Sequence, residues 1–280
     1  METIKDFNEY EILGMDSGYK YERWGNIYLK RPDPEIIWPD TVNIKIDAEY
    51  TRSNTGGGSW LIKSNIPNTW QIHYKDLTFN LKLMGFKHTG LFPEQAYNWD
   101  LIRNTIKKER RKVKVLNLFA YTGAASIAAL KEGAEVTHVD SSRGMIDWAK
   151  ENVKSNNLEN EHIRFLVDDV RKFVKREIRR ENKYDIIIMD PPSFGRGAKN
   201  EVWQVEKDLY NLVLDTSKLL SDKALLFIIN TYTTGLSMTV IENILKKTIN
   251  KKGKITSTEL GIKAKNNLIL PCGITARWER

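Results

Sequence analysis

From Trp99 onward the chain alternates between helical periodicity and short apolar runs, and this alternation constrains its fold more than any other feature. Strands alternating with helical stretches of ten or more residues build parallel sheets whose helices cross back over both faces. Helices are expected near Asp100–Arg110, Ala124–Glu132, Arg143–Asn156, Asp169–Arg180, Val202–Leu220 and Leu236–Lys247. Strands are expected near 113–119, 135–139, 163–167, 184–189, 223–229, 254–260 and 272–278. The run Tyr184-Asp185-Ile186-Ile187-Ile188-Met189 is nearly continuously apolar, as a strand buried between two helix layers must be. The expectation is an α/β fold with a doubly wound sheet of seven strands.

Open sheets of this kind bind ligands beyond the carboxyl ends of their strands. Strand exits are therefore the first places to look for function. The strand at 184–189 runs into Asp190-Pro191-Pro192-Ser193-Phe194. Two prolines remove two backbone donors and hold the chain extended. The carbonyls there can accept hydrogen bonds, and Phe194 offers a flat apolar face. A carboxylate, carbonyls and an aromatic ring suit a planar, amine-bearing substrate such as a nucleobase. The plainer alternative is a proline-bearing turn with a satisfied Asp.

A second motif lies upstream. Lys112 to Ala120 reads as a strand, Tyr121-Thr122-Gly123-Ala124-Ala125-Ser126 as a tight turn, and Ile127-Ala128-Ala129-Leu130 as an Ala-rich helix. Gly123 lets the chain bend and a ligand approach the backbone closely. The next strand ends in Asp140, placed to accept hydrogen bonds from ribose hydroxyls. The third ends in Asp168-Asp169, one of which can accept from an adenine amino group. A dinucleotide fingerprint needs three glycines to admit a pyrophosphate at the helix N-terminus, and only Gly123 is present. A nucleoside without phosphate fits better. S-adenosylmethionine is such a ligand, and its cationic sulfonium welcomes nearby acids.

On these residues the chain resembles the class I S-adenosylmethionine-dependent methyltransferases. More narrowly, it is similar to the bacterial family that includes the large-subunit ribosomal RNA cytosine-C5 and guanine methyltransferases. His88-Thr89-Gly90-Leu91-Phe92-Pro93-Glu94-Gln95 resembles that family's TG[LF]F motif, Asn117 to Gly123 its NxFxYTG cofactor loop, and Asp190 to Phe194 its DPPxF motif. The resemblance covers roughly residues 70–280. It implies a Rossmann-like seven-stranded methyltransferase sheet over 89–280, closed by a final hairpin. A small N-terminal β-rich accessory domain, 1–88, would precede it. It implies that Phe92, Asn117, Phe119, Tyr121, Thr122 and Gly123 surround the cofactor, with Asp140 at the ribose and Asp169 at the adenine. Asp168 is the alternate at the adenine. Asp190 and Pro191 would orient the target while Phe194 stacks on it. The implied substrate is RNA, in the first place ribosomal, and the implied setting is cytoplasmic.

Two departures from the family pattern matter. The TG[LF]F motif usually ends in Arg, where this chain has Ala96. The cytosine-C5 members carry a nucleophilic Cys before a Ser-Gly-Leu-like turn, and aligning on Gly235-Leu236 puts Thr233 in its place. C5 of cytosine needs a covalent thiolate adduct at C6, which a Thr hydroxyl cannot readily replace. An exocyclic amine already has a lone pair and needs only orientation and a path for its proton. The expected product is therefore a methylated base amine. The amine-methylating families place the aromatic directly after the prolines, whereas Ser193 intervenes here. The only cysteine, Cys272, is expected as a small buried hydrophobe, with a catalytic thiol as the alternative. One Cys excludes an internal disulfide and a Cys-based metal site, and it fits a reducing compartment.

The chain carries 44 Lys+Arg against 36 Asp+Glu, a formal net charge of +8, which favours a polyanionic partner. Clusters occur at Lys107 to Lys112, Arg171 to Arg180 and Lys251 to Lys254. The stretch Gly195-Arg196-Gly197-Ala198-Lys199 is placed to clamp a phosphate near the target. No apolar run reaches the ~18 residues that a membrane span needs. The N-terminus lacks the basic-then-apolar pattern of a signal peptide. In the N-terminal part, Trp24–Leu29 and Thr69–Tyr74 alternate as strands do, with Gly56-Gly57-Gly58 as a turn. Competing readings are a methyltransferase for a protein or small molecule, and a non-catalytic RNA-binding protein that keeps the fold.

Overall fold

The computed structural model describes residues 1–53, 57–196, 202–232 and 235–280. The chain divides into two compact units: Glu2–Tyr97 with Gly261–Cys272, and Asn98–Leu260 with Gly273–Arg280 (Met1 groups with the second). The first unit is built from strands β1 (Glu2–Thr3), β2 (Tyr10–Asp16), β3 (Tyr19–Trp24), β4 (Ile27–Pro32), β5 (Ala48–Arg52), β6 (Gly58–Ile62), β7 (Trp70–Tyr74) and β8 (Leu77–Leu81). Strands β2 to β6 form one sheet in sequence order, antiparallel except for β4 and β5, while β7 and β8 form a separate hairpin. The expected strand at Trp24–Leu29 is a turn flanked by two strands. Gly25 takes φ 65°, so Trp24 closes β3 and Ile27 opens β4. Alternation of apolar and polar residues continues across the turn, which is why the sequence pattern misleads there.

The second unit carries the helix–strand alternation. Its elements are α1 (Ala96–Lys107), β9 (Lys114–Leu118), α2 (Ala124–Lys131), β10 (Glu135–Asp140), α3 (Arg143–Ser155), β11 (Ile163–Val167), α4 (Val170–Arg179), β12 (Ile186–Met189), β13 (Phe194–Arg196), β14 (Val202–Gln204), α5 (Val205–Ser217), β15 (Leu226–Thr231), α6 (Met238–Thr248), β16 (Lys254–Lys263) and β17 (Ile269–Glu279). Seven strands run in the order β16-β17-β15-β12-β9-β10-β11. Strands β9, β10, β11, β12 and β15 are parallel, and β17 runs antiparallel to β15. The α/β expectation and the closing hairpin hold. Residues 202–204 are strand, not helix. They pair with 194–196, and the Trp203 indole donates to the Pro192 carbonyl at 2.6 Å. Helix α1 starts four residues before the expected Asp100. A one-turn 3₁₀ segment, Pro93–Gln95, precedes it, and Pro93 pre-sets the backbone there.

On one side of this sheet Phe173 and Val174 of α4 and Leu209 and Val213 of α5 pack with Leu116, Met189 and Phe227. No helix among the described residues is long and apolar enough to cross a membrane. No cluster of His, Cys, Asp and Glu among them has metal-ligand geometry.

The first unit is organised around a buried ion pair. Arg31 donates to both oxygens of Glu22, at 2.6 and 2.7 Å, and the Tyr10 hydroxyl adds a third bond at 2.7 Å. Burial by itself would raise the Glu22 carboxyl. Arg31 and Lys20 outweigh it and hold Glu22 at about 2. A carboxylate depressed in this way stabilises the fold above its ordinary range near 4.5, and the contribution is lost as pH falls toward 2. Arg31→Met is expected to cost about 3–5 kcal/mol at neutral pH, because it strands a buried carboxylate. The loss should shrink in acid, where Glu22 of the variant takes up its proton. Denaturant midpoints at pH 7 and pH 4 check this; equal losses at both would mean that the pair's charge is not what matters.

Candidate active site

The order of strands fixes where a ligand can enter. Strand β9 leads to β10 and β11 on one side, and the chain then returns to place β12 on the other. The crevice of such a sheet opens where the winding reverses, here between the carboxyl ends of β9 and β12. Register places Met189 beside Leu118 and Val139 beside Leu118 on the other flank. The exits of three strands therefore share one rim: the loop after Leu118, Asp140 and Asp190. The Asp190 amide faces the Leu118 carbonyl at 3.4 Å.

The loop from Phe119 to Gly123 is strained. Phe119 and Tyr121 take φ of 55° and 51°, a left-handed conformation that ordinary residues avoid, and Gly123 takes 89°. Such strain persists only where the surroundings over-determine it. Here the Tyr121 amide donates to Asp140 Oδ2 at 2.9 Å, and Asn152 of α3 donates to the Thr122 carbonyl at 2.9 Å. Beneath the loop, Asn117 donates to Ser126 Oγ at 2.9 Å, and that hydroxyl lies 3.0 Å from His138 Nδ1. All three side chains are buried. Burial drives His138 down to about 3, against a smaller pull from the Tyr121 backbone, so it stays neutral at physiological pH. Asn152 thus holds the loop through the Thr122 carbonyl, while Asn117 fastens Ser126 beneath it. Gly123 does more than admit a ligand: a Cβ there would lie 3.1 Å from Ala149 Cβ, so the glycine also lets α3 pack against the turn.

The acids differ in their surroundings. Asp140 accepts the Tyr121 amide on one oxygen and the Ser142 amide, at 2.8 Å, on the other. Burial raises its carboxyl, with those amides pulling the other way. Asp169 caps α4 by accepting the Lys172 amide at 2.9 Å, and Asp168 is paired with Arg176. Pro191 is buried. Phe194, at the start of β13, is 54% exposed. Phe92 lies in the other unit, ahead of the 3₁₀ turn, with its ring 5.2 Å from that of His88. Thr233 and residues 197–199 of the predicted phosphate clamp lie outside the described residues.

Three residues at this rim carry no sequence signature. Trp203 holds the Pro192 carbonyl and packs its ring 5.6 Å from Phe119, linking the two strand exits. Asn98 of α1 donates to Asn230 at 3.0 Å and to Thr275 at 3.2 Å, tying α1 to the ends of β15 and β17. Gly273 lets β17 pass the exit of β15, since a Cβ there would meet the Thr231 carbonyl at 2.8 Å. An Asn at the start of a helix, or a Trp just before one, reads in sequence as an ordinary cap or core residue.

A family model for S-adenosylmethionine-dependent methyltransferases matches residues 44–249. The chain belongs to that family. It is 34% identical to the SAM-dependent methyltransferase from Agrobacterium tumefaciens. It matches that crystal structure with a TM-score of 0.94, covering 99% of this chain and 92% of the other. A likeness of fold extends to SMU.776 complexed with SAH, at TM-score 0.75 and 22% identity over 98% of this chain and 76% of that one. Among curated proteins, the chain is 35% identical over 274 residues to the ribosomal RNA large subunit methyltransferase K/L of Alteromonas mediterranea. That match covers 90% of this chain and 36% of the relative. The protein of the same name from Colwellia psychrerythraea is 28% identical over 207 residues, covering 72% and 28%. The chain spans about a third of the length of these curated relatives.

The cofactor of this methyltransferase is S-adenosylmethionine, and the rim fits it. An acid fixed by two amides stands at the exit of β10, and the bent loop beside it carries one glycine instead of a pyrophosphate-binding set. Gly123→Ala forces a left-handed alanine against Ala149 and is expected to cost about 1–2 kcal/mol. It should also weaken S-adenosylmethionine binding. Thermal denaturation and titration calorimetry read the two effects; wild-type values in both would show that the loop tolerates another conformation.

Proposed function

We propose that this methyltransferase modifies a base of RNA, in the first place ribosomal RNA in the cytoplasm, at an exocyclic amine. The K/L relatives, named as ribosomal RNA large subunit methyltransferases, support the RNA class. The observation that carries the choice of atom is the state of the only thiol. Cys272 donates its S–H to the Leu270 carbonyl at 3.4 Å. Burial pushes the thiol well above its ordinary range, and Glu94 pushes the same way. A half-buried thiol whose acidity is lowered is a poor nucleophile, so a covalent adduct at cytosine C6 lacks a ready donor. Thr233 cannot supply one either.

When bound, S-adenosylmethionine supplies an electrophilic methyl group. Asp140 holds the ribose hydroxyls on the lone pairs that its two backbone amides leave open. Asp169 accepts the adenine amino group while capping α4, with Asp168 as the alternate. Phe119 and Tyr121 flank the nucleoside, and Asn117, Thr122 and Gly123 keep the loop bent. Asp190 and the Pro191 carbonyl accept the N–H groups of the target amine and aim its lone pair. Phe194, exposed at the start of β13, stacks on the base. Asp190 then eases departure of the amine proton to water. The 1–88 segment acts as an accessory module.

Incubation with labelled S-adenosylmethionine and total RNA from a strain lacking the protein, followed by mass analysis of nucleosides, tests the reading. Label is expected on a base amine. Asp190→Asn should lower kcat about 100-fold or more through lost positioning, with cofactor binding unchanged, and Cys272→Ser should retain activity. Label at cytosine C5, abolished in Cys272→Ser, would overturn the choice of atom. Label confined to protein or small molecules would overturn the RNA reading.

A further inference from the structure

Net charge is divided unevenly along this chain. The unit made of Glu2–Tyr97 and Gly261–Cys272 has 13 Lys+Arg and 13 Asp+Glu, whereas the rest of the chain has 31 and 23. All of the +8 therefore lies in the methyltransferase unit. A polyanion is drawn to that unit and not to the β-rich one.

Within the methyltransferase unit, α4 and its cap residue Arg180 concentrate six cations: Arg171, Lys172, Lys175, Arg176, Arg179 and Arg180. The only carboxylate on the helix, Glu177, is fully buried and accepts from Tyr184, Asn182 and Arg180. The solvent side of α4 is consequently of one sign. Three of its cations have structural work. Arg171 reaches Asp169 and Asp208, Arg176 pairs with Asp168, and Arg180 pairs with Glu177. Lys172, whose amide caps the helix on Asp169, is exposed, as are Lys175 and Arg179. Their spacing puts them in one sector about 60° wide, over about 10 Å of helix axis. Helix α4 starts directly after Asp168-Asp169, at the strand-exit rim. Arg171 also donates to the Val202 carbonyl at 3.3 Å, joining the helix to the β13–β14 hairpin that carries Phe194. The row of cations therefore starts at the rim where the target base is presented.

We propose that the Lys172–Lys175–Arg179 face of α4 is a phosphate track that holds the RNA strand flanking the target base. This rests on the reading that the substrate is RNA. Each phosphate contact on single-stranded RNA contributes about 0.7 to the slope of log affinity against log salt. The double variant Lys175→Gln/Arg179→Gln should flatten that slope by about 1.4 and weaken RNA binding about tenfold at 0.15 M salt. KM for RNA should rise with kcat and S-adenosylmethionine binding unchanged. Lys252→Gln/Lys254→Gln, which removes the same charge from the exposed start of β16 and the turn before it, should leave the slope as it is. An unchanged slope in the α4 variant, while the wild type still methylates RNA, would overturn the track and leave the RNA reading standing. Equal flattening in both variants would reduce the effect to net charge and overturn the track as well. Salt-insensitive or absent RNA binding by the wild-type protein would overturn both.

Discussion

The parallel pairing of β9 with β10 on one edge and β12 on the other is what the site depends on. Because β9 is the strand from which the winding departs in both directions, its exit has a neighbour on each side, and both neighbours end in an acid. The register leaves no freedom: with Asn117 beside His138 and Ile188, the next residues up must be Leu118, Val139 and Met189. Asp140 and Asp190 then flank the loop. A slip of one residue would turn every side chain to the opposite face and bury the acids. The buried contacts among Asn117, Ser126 and His138 hold the register of β9 and β10, and the wholly apolar β12 fills both of its faces.

Polar order beneath the loop follows from the same register. Asn117 and His138 are adjacent on neighbouring strands, and Ser126 comes down on them from α2. Buried polar groups of this kind are costly unless each finds a partner, and here Asn117, Ser126 and His138 Nδ1 partner one another, while His138 Nε2 is left without one among the described residues. The consequence is a floor with one arrangement. On such a floor the positive-φ conformations of Phe119 and Tyr121 can be held, although each costs about 1–3 kcal/mol.

Much of this was legible in the sequence because parallel sheets write themselves in long apolar runs and helical periods. The exits at Asp140 and Asp190 could be placed to the residue, and the turn at Gly123 likewise. What was not legible depended on contacts distant in sequence. Val202–Gln204 has the composition of a helix start, yet pairs as a strand, because the Trp203 indole finds the Pro192 carbonyl eleven residues upstream. Asn98 meets Asn230 and Thr275, separations that no periodicity encodes. At Trp24–Leu29 the alternation of side chains carried through a tight turn, and only the positive φ of Gly25 marks the reversal. Glu22 and Arg31 form a buried pair across β3 and β4 that no sequence pattern marks.

Preorganisation also gives meaning to the state of Asp140. If Asp140 takes the ribose-binding role proposed for it, it gains most by being already fixed and partly dehydrated before the hydroxyls arrive. The amides of Tyr121 and Ser142 fix it, one on each oxygen, while burial raises its carboxyl. These amides come from opposite sides, one from the strained loop and one from the start of α3. The carboxylate therefore ties the loop conformation to the sheet as well as facing the crevice. Removing its charge would loosen Tyr121, whose left-handed backbone depends on that bond. On the proposed role of Asp140, strain in the loop and affinity for the nucleoside would then be two effects of one carboxylate, and a change in one would carry over to the other.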